Sequence, residues 1–226
     1  MTVHTSRIEV ATDAAVSGRV VERRGPYRLG LKRLFDIALV ILSLPFVLPF
    51  LALISIAVML SDGGSPLFRQ ERVGKDGRRF QIWKFRSMVV DAEAQLARYL
   101  ELNPEAKKEW ETKQKLSYDP RCTTVGRLLR RSSIDELPQI FNVLVGDMSL
   151  VGPRPMMPCQ QALYPGQAYY NMRPGMTGAW QVTSRNTSDF SDRAAYDDQY
   201  YARVSLVEDL RILAHTVGVV LRGTGV

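Results

Sequence analysis

The strongest pattern along the chain is a single uncharged apolar run. Residues 37–60, IALVILSLPFVLPFLALISIAVML, contain no charged side chain. As a helix the run would be roughly 36 Å long, which exceeds the hydrocarbon core of a bilayer. It predicts insertion into a membrane, with a fully buried core helix as the alternative. A cleaved signal peptide does not fit, because the run starts well inside the chain and no small-residue cleavage site follows it.

Both flanks of this run are basic, which bears on its arrangement in the membrane. Arginines and lysines are concentrated at 23–33 and again at 69–86. The positive-inside bias then places both ends on the cytoplasmic side. Pro45 and Pro49 lie near the middle of the run, where each removes a backbone donor and favours a kink. A helix that breaks there and returns satisfies both observations, and a kinked helix that spans the membrane is the alternative.

The rest of the chain divides around this segment. Residues 1–30 lack periodicity and predict a disordered tail. We assign residues 31–62 to the re-entrant membrane helix and residues 63–226 to a cytosolic domain that carries the chemistry. The predicted fold class is α+β and mainly helical, with a helix-break-helix in the membrane, a short β-hairpin and amphipathic interfacial helices.

Two stretches carry the clearest local signals in the cytosolic domain. Residues 66–88 predict two short strands joined by Lys75-Asp76-Gly77, because Asp-Gly favours a hairpin turn. Residues 89–115 have a helical composition, and Asn103-Pro104 interrupts it or starts a second helix. These stretches predict a hairpin followed by two helices.

Two further helices are predicted towards the C-terminus. Apolar residues recur on one face of 136–145, which predicts a helix with Asp135 as its N-cap. Ser133 and Glu136 offer a competing capping box, so the start of this helix is open. Residues 206–221 predict a last helix, whose apolar positions cover the core or rest on lipid.

The net charge and the small number of cysteines and histidines limit the classes of function that fit the sequence. The net charge of +7 and the pI near 9.6 indicate a polyanionic neighbour, which could be nucleic acid, an anionic membrane surface or a phosphorylated substrate. With only two cysteines and two histidines, all far apart, a zinc site, a disulfide framework and a Ser-His or Cys-His nucleophile pair are disfavoured. We find no nucleic-acid-binding motif, so nucleic acid is not expected as a partner.

An acidic pair follows a basic run in the middle of the domain. Residues 132–139, SSIDELPQ, come directly after GRLLRR. An ordinary helix start explains this composition, since acids in a first turn complement the helix dipole. A carboxylate can also attack a phosphoryl centre covalently or bind the magnesium that neutralises a phosphate. Asp135 and Glu136 are therefore candidate catalytic and metal-binding residues.

Basic clusters elsewhere strengthen the second interpretation. Guanidinium groups bind phosphate oxygens bidentately and lysine supplies a compact positive charge. The candidate phosphate ligands are Lys84, Arg86, Arg130 and Arg154. A glycine-rich stretch at 172–186 adds Arg173 and Arg185 and could approach a ligand closely. Together with the membrane run, these clusters indicate phosphate chemistry at a bilayer surface.

These stretches resemble one known family, the bacterial polyprenol-phosphate sugar-1-phosphate transferases that start exopolysaccharide and O-antigen synthesis. The similarity covers roughly residues 31–222, in the expected order. The matching stretches are KRLFDIALVILSLPF, PLFRQERVGKDGRRFQIWKFRSM, DPRCTTVGRLLRRSSIDELPQIFNVLVGDMSLVGPRP and RPGMTGAWQVTSR. The short chain is similar to the minimal, monotopic form of the family.

The resemblance implies a reaction and roles for particular residues. It implies transfer of a hexose-1-phosphate from a UDP-sugar to undecaprenyl phosphate, with release of UMP and with Mg²⁺ as cofactor. Asp135 would be the nucleophile that forms a phosphosugar-enzyme intermediate, and Glu136 its companion. Lys84, Arg86, Arg130 and Arg154 would bind phosphate. The nucleotide side would be formed by Arg173, Gly175, Thr177, Gly178, Gln181 and Arg185.

The resemblance also implies a location and partners. The family acts at the cytoplasmic face of the bacterial inner membrane, and its re-entrant helix breaks at a proline that often follows serine, where this chain has Leu44-Pro45. The similarity is to the exopolysaccharide-initiating branch that uses UDP-galactose or UDP-glucose, with a slight preference for galactose. Membrane lipid is an expected partner, and a homodimer and downstream glycosyltransferases are candidates.

Other hypotheses stay open at this point. Direct displacement in a ternary complex would use the same residues as the covalent route. A non-catalytic membrane scaffold for a glycan assembly complex is the alternative from another class. Retention of both carboxylates and of the basic clusters argues against it.

Overall fold

The computed structural model describes residues 25–62, 64–89, 91–113, 116–183 and 188–221. The helices are α1 Lys32–Asp62, α2 Ala92–Leu102, α3 Pro104–Lys113, α4 Thr124–Arg131, α5 Ile140–Val145, α6 Ala179–Thr183, α7 Arg193–Arg203 and α8 Leu206–Leu221. The strands are β1 Leu67–Val73, β2 Arg79–Phe85, β3 Ser149–Val151 and β4 Gly175–Thr177. Short 3₁₀ turns occupy Lys75–Gly77, Ile134–Gln139, Pro158–Leu163 and Ala168–Asn171. The mainly helical α+β class is confirmed.

The predicted hairpin is present. β1 and β2 pair antiparallel with Leu67 opposite Phe85 and Val73 opposite Arg79. Asp76 and Gly77 adopt positive φ angles of 56° and 75°, the conformation that Asp-Gly sequences tolerate in tight turns. A second, parallel pair of β3 and β4 was not predicted, because three residues per strand are too few to show alternation.

The apolar run forms one continuous helix that contains both prolines. α1 runs without interruption through Pro45 and Pro49, so the predicted division into two helices is not seen. Contacts on both sides of the prolines support the helical course, because Leu44 and Val47 pack into one core cluster and Leu51 into the next. The segment Tyr27–Ser61 is long and apolar enough to cross a membrane by length and composition alone.

One stripe of α1 lies against the folded domain along most of the helix. In its first half, Val40 packs with Ile140, Val143 and Met148. In its second half, Leu51 and Val58 pack with Phe85 and Leu129. The other faces expose large apolar side chains, among them Leu42, Phe46, Leu53 and Leu60. Both halves of the helix therefore contact the same folded unit.

The start of α1 is fastened to the C-terminal helices. A turn of π-helix over Tyr27–Leu31 precedes α1, so helical structure begins inside the segment that was assigned to the tail, whose residues 1–24 lie outside the described residues. The buried Asp209 carboxylate of α8 accepts hydrogen bonds from Tyr27 Oη at 2.6 Å, Lys32 Nζ at 2.5 Å and Tyr200 Oη at 2.6 Å. This cluster joins α1, α7 and α8.

Candidate active site

The hairpin presents alternate side chains to a cavity. In the antiparallel register, Phe68 lies opposite Lys84 and Gln70 opposite Ile82. Successive strand residues point to opposite faces, so Arg72 shares the face of Phe68 and Gln70. All five side chains line the cavity. The alternation of side chains along the strands therefore places Arg72 and Lys84 on the same wall of the cavity.

The Asp-Glu pair lies in a 3₁₀ turn that faces this wall. Ser133 adopts a positive φ of 57° immediately before the turn Ile134–Gln139, and its side chain makes no capping hydrogen bond. Asp135 is thus inside the turn, and neither it nor Ser133 caps a helix as predicted from the sequence. Asp135 and Gln139 are buried, and both line the cavity together with Glu136.

Glu136 holds two of the predicted phosphate ligands. Its Oε1 atom is 2.8 Å from Lys84 Nζ and 2.8 Å from Arg154 Nη2. The negative charge of Glu136 raises the pKa of Arg154, whereas burial lowers the pKa of Lys84 despite the neighbouring carboxylates. Glu136 therefore fixes a lysine and an arginine beside Asp135.

Asp135 differs from its neighbour because its carboxylate accepts no hydrogen bond from the described residues. Its side chain is 7% exposed. Burial raises its pKa to about 6, and Glu136 contributes in the same direction, whereas Lys84, Arg130 and Arg154 act against the shift. The result is a carboxylate at a cavity wall, close to positive charge but not saturated by donors.

The other two predicted phosphate ligands also line the cavity. Arg130 lies in the last turn of α4, where its Nη1 donates to Cys122 Sγ at 2.9 Å and lies 3.6 Å from the Asp119 carboxylate. Arg86 follows the end of β2 and borders the same space. The structure thus brings Lys84, Arg86, Arg130 and Arg154 to one site with both carboxylates.

The cavity is large enough for a sugar nucleotide. Its volume is about 830 Å³, within the range of pockets that bind cofactors and metabolites. Its lining includes residues from the end of β2 and the start of α2, together with Gln160, Trp180 and Arg193. Among the described residues, its walls combine aromatic and apolar side chains with six cationic and four acidic side chains.

Apart from Trp180, the described residues of the glycine-rich segment do not line the cavity. Arg173 Nε donates to the Gly146 carbonyl at 2.9 Å, and the Thr177 hydroxyl lies 2.7 Å from that of Thr216. Gln181 Nε2 donates to the Met176 carbonyl at 3.0 Å. These contacts are internal to the fold, and the nucleotide-side role assigned to the segment stays a prediction.

The glycines of this segment serve close backbone packing. A Cβ atom on Gly175 would lie 2.1 Å from Gly152 N, and one on Gly178 would lie 2.1 Å from Gly152 O. Neither glycine lines the cavity, and Arg185 lies outside the described residues. Among the residues of this segment that the structure describes, Trp180 alone lines the cavity.

The carboxylates at the site can be compared with the ligands that Mg²⁺ requires. Among the residues that the structure describes, no group of three or more Asp, Glu, His or Cys side chains could hold a metal ion. Mg²⁺ does not require such a cage, since it keeps several waters and is held by one or two carboxylates together with substrate phosphates. Asp135 and Glu136 fit this arrangement when phosphate oxygens complete the set.

Several cavity residues were missed from the sequence. Arg72, Gln139, Trp180 and Arg193 all line the cavity. The alternation of the hairpin could have identified Arg72, because it shares a strand face with Gln70. Arg193 begins α7, far along the chain, and no sequence pattern connects it to the acidic pair.

Comparison with known proteins shows which family the chain resembles. Residues 27–223 match the model of the family described as bacterial sugar transferase. The UDP-galactose-lipid carrier transferase of Erwinia amylovora is 44% identical over 198 residues, which are 86% of this chain and 41% of that protein. The undecaprenyl-phosphate galactose phosphotransferase of Salmonella typhimurium is 45% identical over 197 residues, again 86% and 41%.

A shorter relative is matched over most of its length. The exopolysaccharide production protein ExoY of Sinorhizobium fredii is 41% identical over 196 residues, 86% of this chain and 87% of that protein. The chain therefore spans less than half of the two longer relatives and nearly all of the shorter one. Because the family model covers α1, the cavity and both carboxylates, the chain belongs to the bacterial sugar transferase family.

Proposed function

We propose that the protein transfers a hexose-1-phosphate from a UDP-sugar to undecaprenyl phosphate and releases UMP, as the first membrane step of exopolysaccharide or O-antigen synthesis. The activities after which its relatives are named support this reaction type, and they include the UDP-glucose:undecaprenyl-phosphate glucose-1-phosphate transferase of Escherichia coli, which is 36% identical. The observation that carries the proposal is the unsaturated Asp135 carboxylate in a cationic cavity.

The first step would be attack by Asp135 on the phosphorus that carries the sugar. A bond forms between a carboxylate oxygen and this phosphorus, and the bond to the bridging oxygen of the diphosphate breaks, so UMP leaves with that oxygen. With a pKa of about 6, Asp135 is mainly ionised at neutral pH and needs no general base. Lys84, Arg130 and Arg154 would offset the repulsion between the carboxylate and the phosphate.

The second step would regenerate Asp135. An oxygen of undecaprenyl phosphate attacks the same phosphorus, the acyl phosphate bond breaks, and the product is a lipid diphosphate sugar. Two steps through one carboxylate remove the need to hold a nucleotide sugar and a lipid phosphate together in one anionic site. The covalent intermediate distinguishes this route from direct displacement.

Glu136 would position cations rather than attack. Its Oε1 already accepts from Lys84 and Arg154, so the lone pairs of that oxygen are engaged. Its second oxygen accepts from Arg154 Nη1 at 3.5 Å, and this oxygen and the Asp135 carboxylate would hold Mg²⁺ together with substrate phosphate. A bound magnesium ion supplies further charge neutralisation to the transferring phosphoryl group.

The packing of α1 supports re-entry at the cytoplasmic face of the inner membrane. A helix that crosses the bilayer carries its two halves to opposite sides of the midplane. Here both halves pack on one domain with a charged surface, Val40 on α5 and Leu51 on β2 and α4. Burying that domain in hydrocarbon would be costly, so we propose that both ends of α1 lie on one side of the membrane and that the continuous helix bends at Pro45 and Pro49.

The donor sugar and the partners are finer parts of the proposal. We propose UDP-galactose or UDP-glucose as donor, with galactose preferred, because the names of the relatives include both sugars. Membrane lipid would contact the exposed apolar faces of α1. A homodimer and downstream glycosyltransferases remain candidate partners.

The test is a transfer assay on the full chain in nanodiscs. Undecaprenyl phosphate, Mg²⁺ and a panel of UDP-sugars are supplied, and UMP and the lipid product are measured by mass spectrometry. We expect one donor to give both products and Asp135→Asn to give neither. Absence of product from every donor, with the fold verified, would instead favour the scaffold hypothesis.

A second assay tests the covalent step. The protein is incubated with labelled UDP-sugar and no lipid acceptor, and intact mass is measured. We expect about one hexose phosphate per wild-type chain, together with UMP, and no adduct on Asp135→Asn. UMP release that always requires the lipid acceptor would support direct displacement.

A further inference from the structure

Besides Arg86, Arg130 and Arg154, two further arginines among the described residues line the same cavity, and neither forms an ion pair with Asp135 or Glu136. Arg72 comes from β1, and Arg193 is the first residue of α7. The guanidinium group of Arg193 is stacked 4.1 Å from the ring centroid of Trp180 and 4.4 Å from that of Phe190. Arg72 donates to the Gln70 side-chain oxygen at 2.5 Å and to the Pro155 carbonyl at 3.4 Å. Both arginines are therefore fixed by neighbours that carry no charge.

Neither arginine has a carboxylate partner in the described part of the chain. Lys84 and Arg154 pair with Glu136, and Arg130 lies beside Asp119. By contrast, the Nε atoms of Arg72 and Arg193 are buried without a hydrogen-bond partner. A buried donor of a charged group without a partner costs free energy, which a ligand with acceptor oxygens would recover.

The electrostatics of the three neighbouring arginines also favour an anion. Burial lowers the pKa of Arg72 to about 10, and the charge of Arg154 acts in the same direction. Burial lowers the pKa of Arg193 to about 9, Arg154 and Arg72 act in the same direction, and the charge of Asp197 acts against the shift. Arg154 thus acts electrostatically on both arginines while it pairs with Glu136.

We propose that Arg72 and Arg193 form a second phosphate subsite, which binds the phosphate that leaves with the nucleoside. This inference rests on the proposed function, in which Asp135 attacks the sugar-bearing phosphorus of a UDP-sugar. The first subsite, with Lys84, Arg130 and Arg154, holds the phosphate under attack. The second holds its neighbour in the diphosphate and retains UMP until the bond has broken.

The core beneath this subsite favours the soluble nucleotide over the lipid phosphate. Phe190 and the residues next to the two arginines, Val73 and Ala194, belong to one apolar cluster, whose described members include none from α1. Phe85, another cavity residue, belongs to a different cluster that includes Leu51 and Val58 of α1. A lipid phosphate is tethered to the membrane and would enter on the side of α1, whereas a nucleotide is free to bind at residues that do not pack on this helix.

The experiment measures binding of UMP and of inorganic pyrophosphate to the full chain in nanodiscs by calorimetry. The variants are Arg72→Lys and Arg193→Lys, which keep the charge but lose the bidentate guanidinium, and the corresponding glutamine variants. We expect both ligands to bind at least about tenfold more weakly, the loss expected when a charge-assisted hydrogen bond is removed. The control is Arg79→Gln, an exposed arginine of the same hairpin that bonds Gln161.

Steady-state kinetics separate this role from a general effect on the fold. We expect the KM for the UDP-sugar to rise about tenfold in both lysine variants, while the KM for the lipid phosphate and the melting temperature stay near those of the wild type. A rise in the KM for lipid phosphate alone would overturn the nucleotide assignment. Unchanged affinity for UMP and pyrophosphate in folded variants would overturn the subsite itself.

Failure of the inference is distinguishable from failure of the proposed function. Normal sugar transfer with unchanged ligand affinities in the variants would reject the subsite and leave the function standing. Weakened pyrophosphate binding in the variants, with no transfer from any UDP-sugar to lipid, would establish an anion subsite in a protein of another function, and would overturn the assignment to the leaving nucleotide.

Discussion

Two buried aspartates of this protein differ in how far their carboxylates are satisfied. Asp209 is 0% exposed, and its two oxygens accept from Tyr27, Lys32 and Tyr200. Asp135 is 7% exposed and accepts no hydrogen bond from the described residues, although Lys84, Arg130 and Arg154 lie close enough to affect its pKa. The first carboxylate fastens three helices together, and the second borders a cavity.

The difference indicates which buried carboxylate still has acceptor sites with which a ligand can interact. A buried carboxylate with all its acceptor sites filled contributes to the fold, and removing it leaves its donors unpaired. A buried carboxylate without donors reduces stability and is retained where it has a function. Asp197 is intermediate, because it is buried and accepts from Tyr164 Oη at 2.7 Å. Substitutions at these three positions test the distinction.

The largest effect is expected at Asp135. Asp135→Asn removes the attacking oxygen while keeping the shape of the side chain, so sugar transfer should fall by at least about 10³-fold. Because no donor loses a partner and a buried charge is removed, the melting temperature should be equal to or higher than that of the wild type. Transfer is measured by UMP release and stability by thermal unfolding. Turnover at the wild-type rate would exclude Asp135 as nucleophile.

The same substitution at Asp209 should act on stability. Asp209→Asn keeps one accepting oxygen for three donors and removes the charge partner of Lys32, which should lower the free energy of unfolding by about 3 to 5 kcal/mol. Transfer per folded molecule should stay near the wild-type value, because Asp209 does not line the cavity. Thermal unfolding at pH 7 measures the first quantity, and Asp135→Asn is the matched control. Equal stability of the two variants would show that the two carboxylates do not differ in their contribution to the fold.

Asp197 should give a stability difference that depends on pH. Burial raises its pKa to about 7 in the folded protein, against about 3.9 in an unfolded chain. Between these values the folded state keeps a proton that the unfolded state has lost, so the free energy of unfolding falls as pH rises from 4 to 7 and the loss persists above 7. Asp197→Asn does not titrate and should escape this loss.

The free energy of unfolding of Asp197→Asn should therefore rise relative to that of the wild type as the pH rises. Between pH 4 and pH 8 this relative gain should be up to about 4 kcal/mol. Thermal unfolding across this range measures it, and a constant offset from the substitution cancels. Parallel pH profiles for the two proteins would show that Asp197 is ionised in the fold at all these values.

Sequence patterns were sufficient for elements whose signal is local. The hairpin, the helices around Asn103 and the C-terminal helix follow from alternation, composition and apolar periodicity. The four predicted phosphate ligands also meet at the acidic pair. Arg193 and the donors to Asp209 could not be predicted, because Tyr27 lies 182 residues from Asp209 and only the packed fold brings them together.

The glycine-rich segment shows why residue type alone was insufficient there. From the sequence, we predict that these glycines allow a ligand to approach the backbone closely. Glycine also allows another backbone segment to approach closely. In the structure Gly175 and Gly178 lie against Gly152, which accounts for both glycines by packing, while their nucleotide-side role stays a prediction. The helix break at the prolines is a similar case, because Pro lowers helix stability in isolation while packing on both sides of Pro45 keeps α1 continuous.

Gly178 also makes its contacts inside the protein rather than at the cavity. The smallest effect of the substitutions is expected there. A Cβ atom there would lie 2.1 Å from the Gly152 carbonyl oxygen, so Gly178→Ala must push two backbone segments apart and should cost about 1 to 3 kcal/mol of stability. UMP affinity of the folded variant should stay within about twofold of the wild type, because Gly178 does not line the cavity. Gly77→Ala is the matched control, since its Cβ atom meets nothing within 4 Å and its cost comes from the positive φ alone. A variant with normal stability and lost UMP affinity would assign the segment to the nucleotide, since only a ligand contact would then be missing.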